Sequence, residues 1–123
     1  MQSMATVSPA TGEPSAAEIL RARYAARLPG ALDDLDGPRH GNVALPLHVV
    51  WSGLRTFDLD RPRSRMSLYR TVLAEGQRDD VTAYLDADLL TGLWPVLRTL
   101  IPRAARDAWE NAFPRLAPGA VAA

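Results

Sequence analysis

The sequence predicts an all-α fold, a small bundle of five or six short helices with proline hinges, preceded by a disordered N-terminal arm. Three observations carry that prediction. Apolar residues recur at helical spacing in successive segments. Proline and glycine fall where those segments begin and end, as helix starts and stops require. No convincing pair of strand-like runs accompanies them.

Met1 to Pro14 is rich in Ser, Thr, Ala, Gly and Pro and nearly free of large apolar residues, which predicts the arm over 1–14. An N-terminal helix is predicted over 15–28. Ser15 stands three residues before Glu18, the spacing of a capping box. Ile19, Leu20, Tyr24 and Leu28 form a narrow apolar stripe, Arg21, Arg23 and Arg27 cover the rest, and Pro29 and Gly30 end the run. Asp33, Asp34, Asp36, Gly37, Pro38 and Gly41 then predict an exposed linker over 29–44, separating this helix from the main body.

The helical domain is predicted over 45–116. Pro46 suits the first turn of a helix through Leu47, Val50, Trp51 and Leu54, whereas Val49 and Val50 equally suit a short strand over Leu47 to Trp51; so short a run does not decide between them. Asp60 is a candidate N-cap, with Pro62 in the first turn, for a helix whose stripe is Met66, Tyr69, Val72 and Leu73 and whose stop is Gly76. Asp79 caps a short helix carrying Val81, Tyr84 and Leu85, and Asp86 or Asp88 caps another carrying Leu89, Leu90 and Leu93. Pro95 predicts a break at Trp94 and a new turn through Val96, Leu97, Leu100 and Ile101. After Pro102, a last helix over Arg103 to Phe113 buries Ala105, Trp109, Ala112 and Phe113, and Pro114 ends it before a tail over 117–123.

Composition excludes several classes. A chain of 123 residues fits one small domain with a single core. The absence of cysteine removes disulfides, thiol nucleophiles and zinc knuckles, and two histidines leave little from which to build a metal site, so neither metal nor cofactor is expected. The 14 basic and 14 acidic residues cancel, which removes the basic excess of a non-specific nucleic-acid binder. No apolar run approaches the roughly 18 to 20 residues of a membrane span, and no signal-peptide pattern opens the chain, so a cytoplasmic location is expected. All 14 basic residues are arginine. Arginine suits bidentate contacts to carboxylate and phosphate, but the codons of a GC-rich genome are the simpler explanation.

Local conflicts supply the candidate sites. Arg61, Arg63 and Arg65 stand in a first helical turn, where each opposes the helix dipole by about 0.3–1 kcal/mol when exposed. With Arg70 they form a candidate anion- or partner-binding site, against which stands a solvated cluster neutralised by Asp58 and Asp60. Glu75, Asp79, Asp80, Asp86 and Asp88 form an acidic stretch that caps two helices and offers an interaction face. His48 precedes Ser52 by one turn, as general-base activation needs, but no oxyanion-hole glycines or nucleophile elbow accompany them. No catalytic residue is assigned, and the chain reads as a non-enzyme. Trp51 and Trp109 belong to the core, and Trp94, beside Pro95, is the candidate exposed anchor.

The segments VVWSGLRTFDL, LYRTVLAEG, DVTAYLDADLL and LWPVLRTLIPRAARDAWENAFP together resemble a small group of actinobacterial helical proteins to which no activity is assigned. The resemblance spans Leu45 to Leu116. It implies a helical partner protein encoded beside other genes, sometimes next to nucleotidyltransferase-like toxins, hence an antitoxin-like or regulatory role; it carries over no site residues. The expected function is therefore a non-enzymatic helical protein-interaction module whose partner is another protein. The alternative is a DNA-binding transcriptional regulator whose Arg61–Arg70 helix places its arginines on phosphates. Neutral charge and the lack of helix-turn-helix spacing weigh against that alternative. Oligomeric state is not legible.

Overall fold

The computed structural model describes residues 14–50, 53 and 55–117. The expected arm, apart from Pro14, and the expected tail, apart from Ala117, lie outside the described residues. The chain is mostly helical, as its periodicity requires. The capping box forms at the start of α1 (Ala16–Ala25): Ser15 Oγ accepts the Glu18 N–H at 3.1 Å and Glu18 Oε1 accepts the Ser15 N–H at 2.8 Å. The narrow stripe buries little. None of the ten α1 residues is buried, Tyr24 is half-buried, and Leu28 enters the core only after the helix has ended.

The 29–44 segment is not the exposed linker its turn residues predict. Leu32 and Leu35 are buried, a short 3-10 turn spans Leu32–Asp34, and Asp34 accepts the Ala31 N–H. The Asp36 and Gly37 N–H groups donate to the carbonyls of Thr82 and Leu85, both at 2.8 Å. A Cβ on Gly37 would lie 2.3 Å from the Tyr84 carbonyl carbon, so this approach needs glycine. The breakers mask two leucines three residues apart that anchor the segment to the body.

A two-stranded antiparallel sheet corrects the all-α expectation. β1 (Asn42–Ala44) pairs with β2 (Thr56–Asp58), with Val43 opposite Phe57. Val43 and Leu45 on one arm and Phe57 and Leu59 on the other are buried, the two-residue alternation of a half-buried sheet. That signal was present, but each strand is three residues long and the turn between them is wide. Neither reading of the intervening segment describes residues 47–50. They form a turn in which the N–H groups of Val49 and Val50 both reach the Pro46 carbonyl. Trp51, Ser52 and Leu54 lie outside the described residues.

The remaining helices are α2 (Pro62–Glu75), α3 (Arg78–Tyr84), α4 (Ala87–Leu97) and α5 (Arg103–Ala112), followed by a 3-10 turn at Pro114–Leu116. Leu68, Tyr69, Val72 and Leu73 bury one face of α2, and Gly76 ends it. Asp86 caps α4 by accepting the Leu89 N–H at 3.0 Å, which decides between Asp86 and Asp88. Two other expected caps shift by one or two residues: Arg61 occupies the α2 cap position without a side-chain bond, and Gln77 occupies that of α3, with Asp80 accepting its N–H. The expected break at Trp94 does not occur. Pro95 sits on the exposed side of the last turn of α4, where one missing N–H is tolerated, and the Arg98 N–H still reaches the Trp94 carbonyl at 2.9 Å.

The core runs from the sheet through α2 and α4 to α5. Its largest members are Trp94, Trp109 and Tyr69. Trp109 stands between Trp94 and Phe113, with ring centroids 6.2 and 5.6 Å apart in tilted arrangements. α1 packs against α5 and is tied to the body beyond its C-terminus. Arg27 stacks over Tyr24 and donates to the Ala74 carbonyl at 3.0 Å, and Arg78 donates to the Ala26 carbonyl at 3.2 Å.

Candidate functional site

The arginine cluster divides across α2. At 3.6 residues per turn, Arg61 and Arg65 fall on one side and Arg63 and Arg70 on the opposite side. Arg65 is half-buried and donates from Nε to the Leu59 carbonyl at 2.8 Å; Arg61 lies 3.5 Å from Asp58. Arg63 and Arg70 are exposed and make no ion pair among the described residues. The four therefore do not converge on one anion, though Arg63 and Arg70 form a small cationic strip. Asp60 turns instead to the sheet end, where His40 and the Gly41 N–H bond to it and hold its carboxyl below the usual range.

The acidic stretch likewise does not form one face. Glu75 and Asp79 are exposed, Asp88 pairs with Arg39 at 3.2 Å, and Asp86 is engaged in capping. Asp80 is buried, the one buried charged residue among those described. It accepts the Gln77 N–H at 2.9 Å and lies 2.9 Å through each oxygen from His48 Nε2. A carboxylate can only accept there, so Nε2 carries the proton. Sequence spacing gave His48 a serine neighbour; the fold gives it a carboxylate 32 residues away, holding the 46–50 turn onto the start of α3. Ser52 lies outside the described residues.

Trp94 is not an exposed anchor. Its ring is 2% exposed, and its indole N–H donates to Glu110 Oε2 at 2.9 Å. Arg98 donates to the same oxygen at 2.6 Å, and this bond, more than the indole's, holds the Glu110 carboxyl below the usual glutamate range. The sequence gave a signal: Trp94 and Arg98 are four apart on one face of α4, opposite a glutamate on α5.

The exposed apolar surface lies elsewhere. The large apolar residues most open to water among those described are Ile19, Leu20, Leu47, Val96 and Leu100. Two belong to α1 and two to the end of α4 and the turn leading into α5. Between α1 and α5 runs a groove of about 500 Å³ lined by Ala17, Leu20, Tyr24, Pro102 and Ala104, with Arg21, Arg103 and Asp107 among its polar walls. Leu20 was legible as part of a helical stripe, but not as a residue the fold leaves open.

Among the described residues, no three His, Asp or Glu side chains come together to hold a metal ion, and no helix is long and apolar enough to cross a membrane. Compared with known proteins, the chain matches no family model, no curated protein and no solved structure.

Proposed function

We propose that this protein is a helical protein-interaction module with an antitoxin-like or regulatory role, and that its partner is another protein. The observation that carries the reading is the state of α1. A ten-residue helix with a good N-cap and an apolar stripe lies against α5 without burying a single residue, and leaves Ile19 and Leu20 in water. Isolated helices this short are marginal and are held by packing of their apolar face. Open apolar surface rimmed by charge is characteristic of protein-binding sites.

The test is purification of the tagged full-length chain from its host at low salt, beside Leu20→Asp and Arg63→Glu. The proposal expects one stoichiometric protein with the unaltered chain and with Arg63→Glu, and its loss with Leu20→Asp. A second reading, the DNA-binding regulator, is favoured by the exposed Arg63 and Arg70 on one side of α2. Recovery of nucleic acid alone, released as salt is raised and lost with Arg63→Glu, would overturn the first reading and establish the second.

A further inference from the structure

We infer that the groove between α1 and α5 is the docking site for an acidic amphipathic helix of the partner. The inference rests on the interaction-module reading and adds to it a place and a chemistry. Leu20, Tyr24 and Pro102 supply apolar walls, and Ala17 and Ala104 are small enough for a helix backbone to come close. A third helix laid along α1 and α5 would complete a packing that α1 alone leaves open, covering Leu20.

Charge selects the sign of the occupant. Arg21 and Arg103 line the groove, and Arg23 is exposed on α1. The carboxylates nearby are already engaged. Asp107 lies 3.8 Å from Arg103 and 3.9 Å from Arg106, and Glu18 folds back onto the Ser15 N–H. Glu110, farther along α5, is held by Arg98 and Trp94. Counted with both signs alike, Arg21, Arg23, Arg103 and Arg106 stand against Glu18 and Asp107 around the groove, a net excess of cations, so an acidic segment is steered in ahead of a basic one.

The experiment is fluorescence anisotropy of the full-length protein with a labelled amphipathic peptide of about four helical turns, with leucines at helical spacing and glutamates flanking them. A second peptide carries lysine in place of each glutamate. The acidic peptide is expected to bind at least about tenfold more tightly than the lysine peptide, the effect of unlike and like charge at a rim. Arg21→Glu with Arg103→Glu reverses that order, and Leu20→Asp abolishes binding of both. Because Leu20, Arg21 and Arg103 are exposed, circular dichroism should report unchanged helix content in all variants. Equal binding of the two peptides, or binding of neither, overturns the inference. So does binding that survives the groove variants and is lost with Arg63→Glu and Arg70→Glu, or a concentration-dependent dimer abolished by Leu20→Asp, which would assign the face to a second copy. A host protein captured equally well by Leu20→Asp would overturn the groove while leaving the interaction module standing; failure to capture any host protein would remove the module itself.

Discussion

The two helices that face each other at the groove use their residues in opposite ways. α5 buries Ala105, Ala108 and Trp109 and holds Phe113 against them just past its end, whereas α1, of the same length, buries no residue fully and only half-buries Tyr24. Their surfaces touch, yet one side of the contact is core and the other is cover. The contrast shows that a well-capped helix can lie along a core helix and still leave most of its own apolar stripe open to water. The capping box marks where α1 begins, but a helix this short depends on packing for its stability, and that packing also sets what its apolar stripe is for.

The largest effect that would sharpen this contrast lies in α5. Trp109→Ala removes the ring between Trp94 and Phe113 and should cost about 3–5 kcal/mol, a large part of the stability of so small a domain. Urea unfolding would register it as a collapse of the midpoint or an unfolded chain. Asp80→Ala should cost about 1–3 kcal/mol, because it removes the buried carboxylate that accepts the Gln77 N–H and bonds His48 Nε2. His48→Ala should cost less, since that imidazole is more than half exposed. Gly37→Ala should fall in a similar range, about 1–3 kcal/mol, through collision with the Tyr84 backbone.

A pH series separates the regions without mutation. Glu110 titrates lower in the folded chain than in the unfolded one, so the unfolded state takes up the proton first. Its contribution is therefore complete at neutral pH and is lost as pH falls below about 4.3, the ordinary glutamate value. Glu110→Gln should flatten that part of the acid limb measured by thermal melts. Tyr69 bounds the other side. Burial pushes its hydroxyl up to about 12, so its contribution is present below the ordinary tyrosine range and is lost as pH rises toward that value. Tyr69→Phe should reduce this alkaline loss. The smallest effect belongs to α1: Leu20→Asp should change stability by no more than about 0.5 kcal/mol while removing partner capture.

The legible parts of the fold are those with local causes. The Ser15–Glu18 pair, Pro62, Gly76, Asp86 and Pro102 mark helix ends by chemistry that acts within four residues. The hairpin was hidden because its alternation, Val43 and Leu45 against Phe57 and Leu59, is carried by two three-residue strands. Leu32 and Leu35 were hidden among turn residues that shape the backbone without deciding what it covers. The candidate site divides in the same way. The positions of Arg61, Arg63, Arg65 and Arg70 on one helix were readable, and their separation onto two sides follows from helix geometry once the Leu59 carbonyl fixes Arg65. The Trp94–Arg98 spacing on α4 was readable, but the glutamate it meets, the pairing of His48 with Asp80 and the openness of Leu20 depend on contacts between distant segments, which no local pattern records.

In this account α1 is a cover helix tied to the body beyond its C-terminus and reserved for a partner, while α2 and α5 belong to the core. Residue-resolved amide hydrogen exchange on the full-length protein tests it most directly. Amides in the last turns of α1, up to Ala25, should exchange through local opening at rates far above those of Val72 and Leu73 in α2 and Trp109 in α5. Equal protection in α1 and the core helices would show that α1 unfolds only with the whole domain, and would contradict the claim.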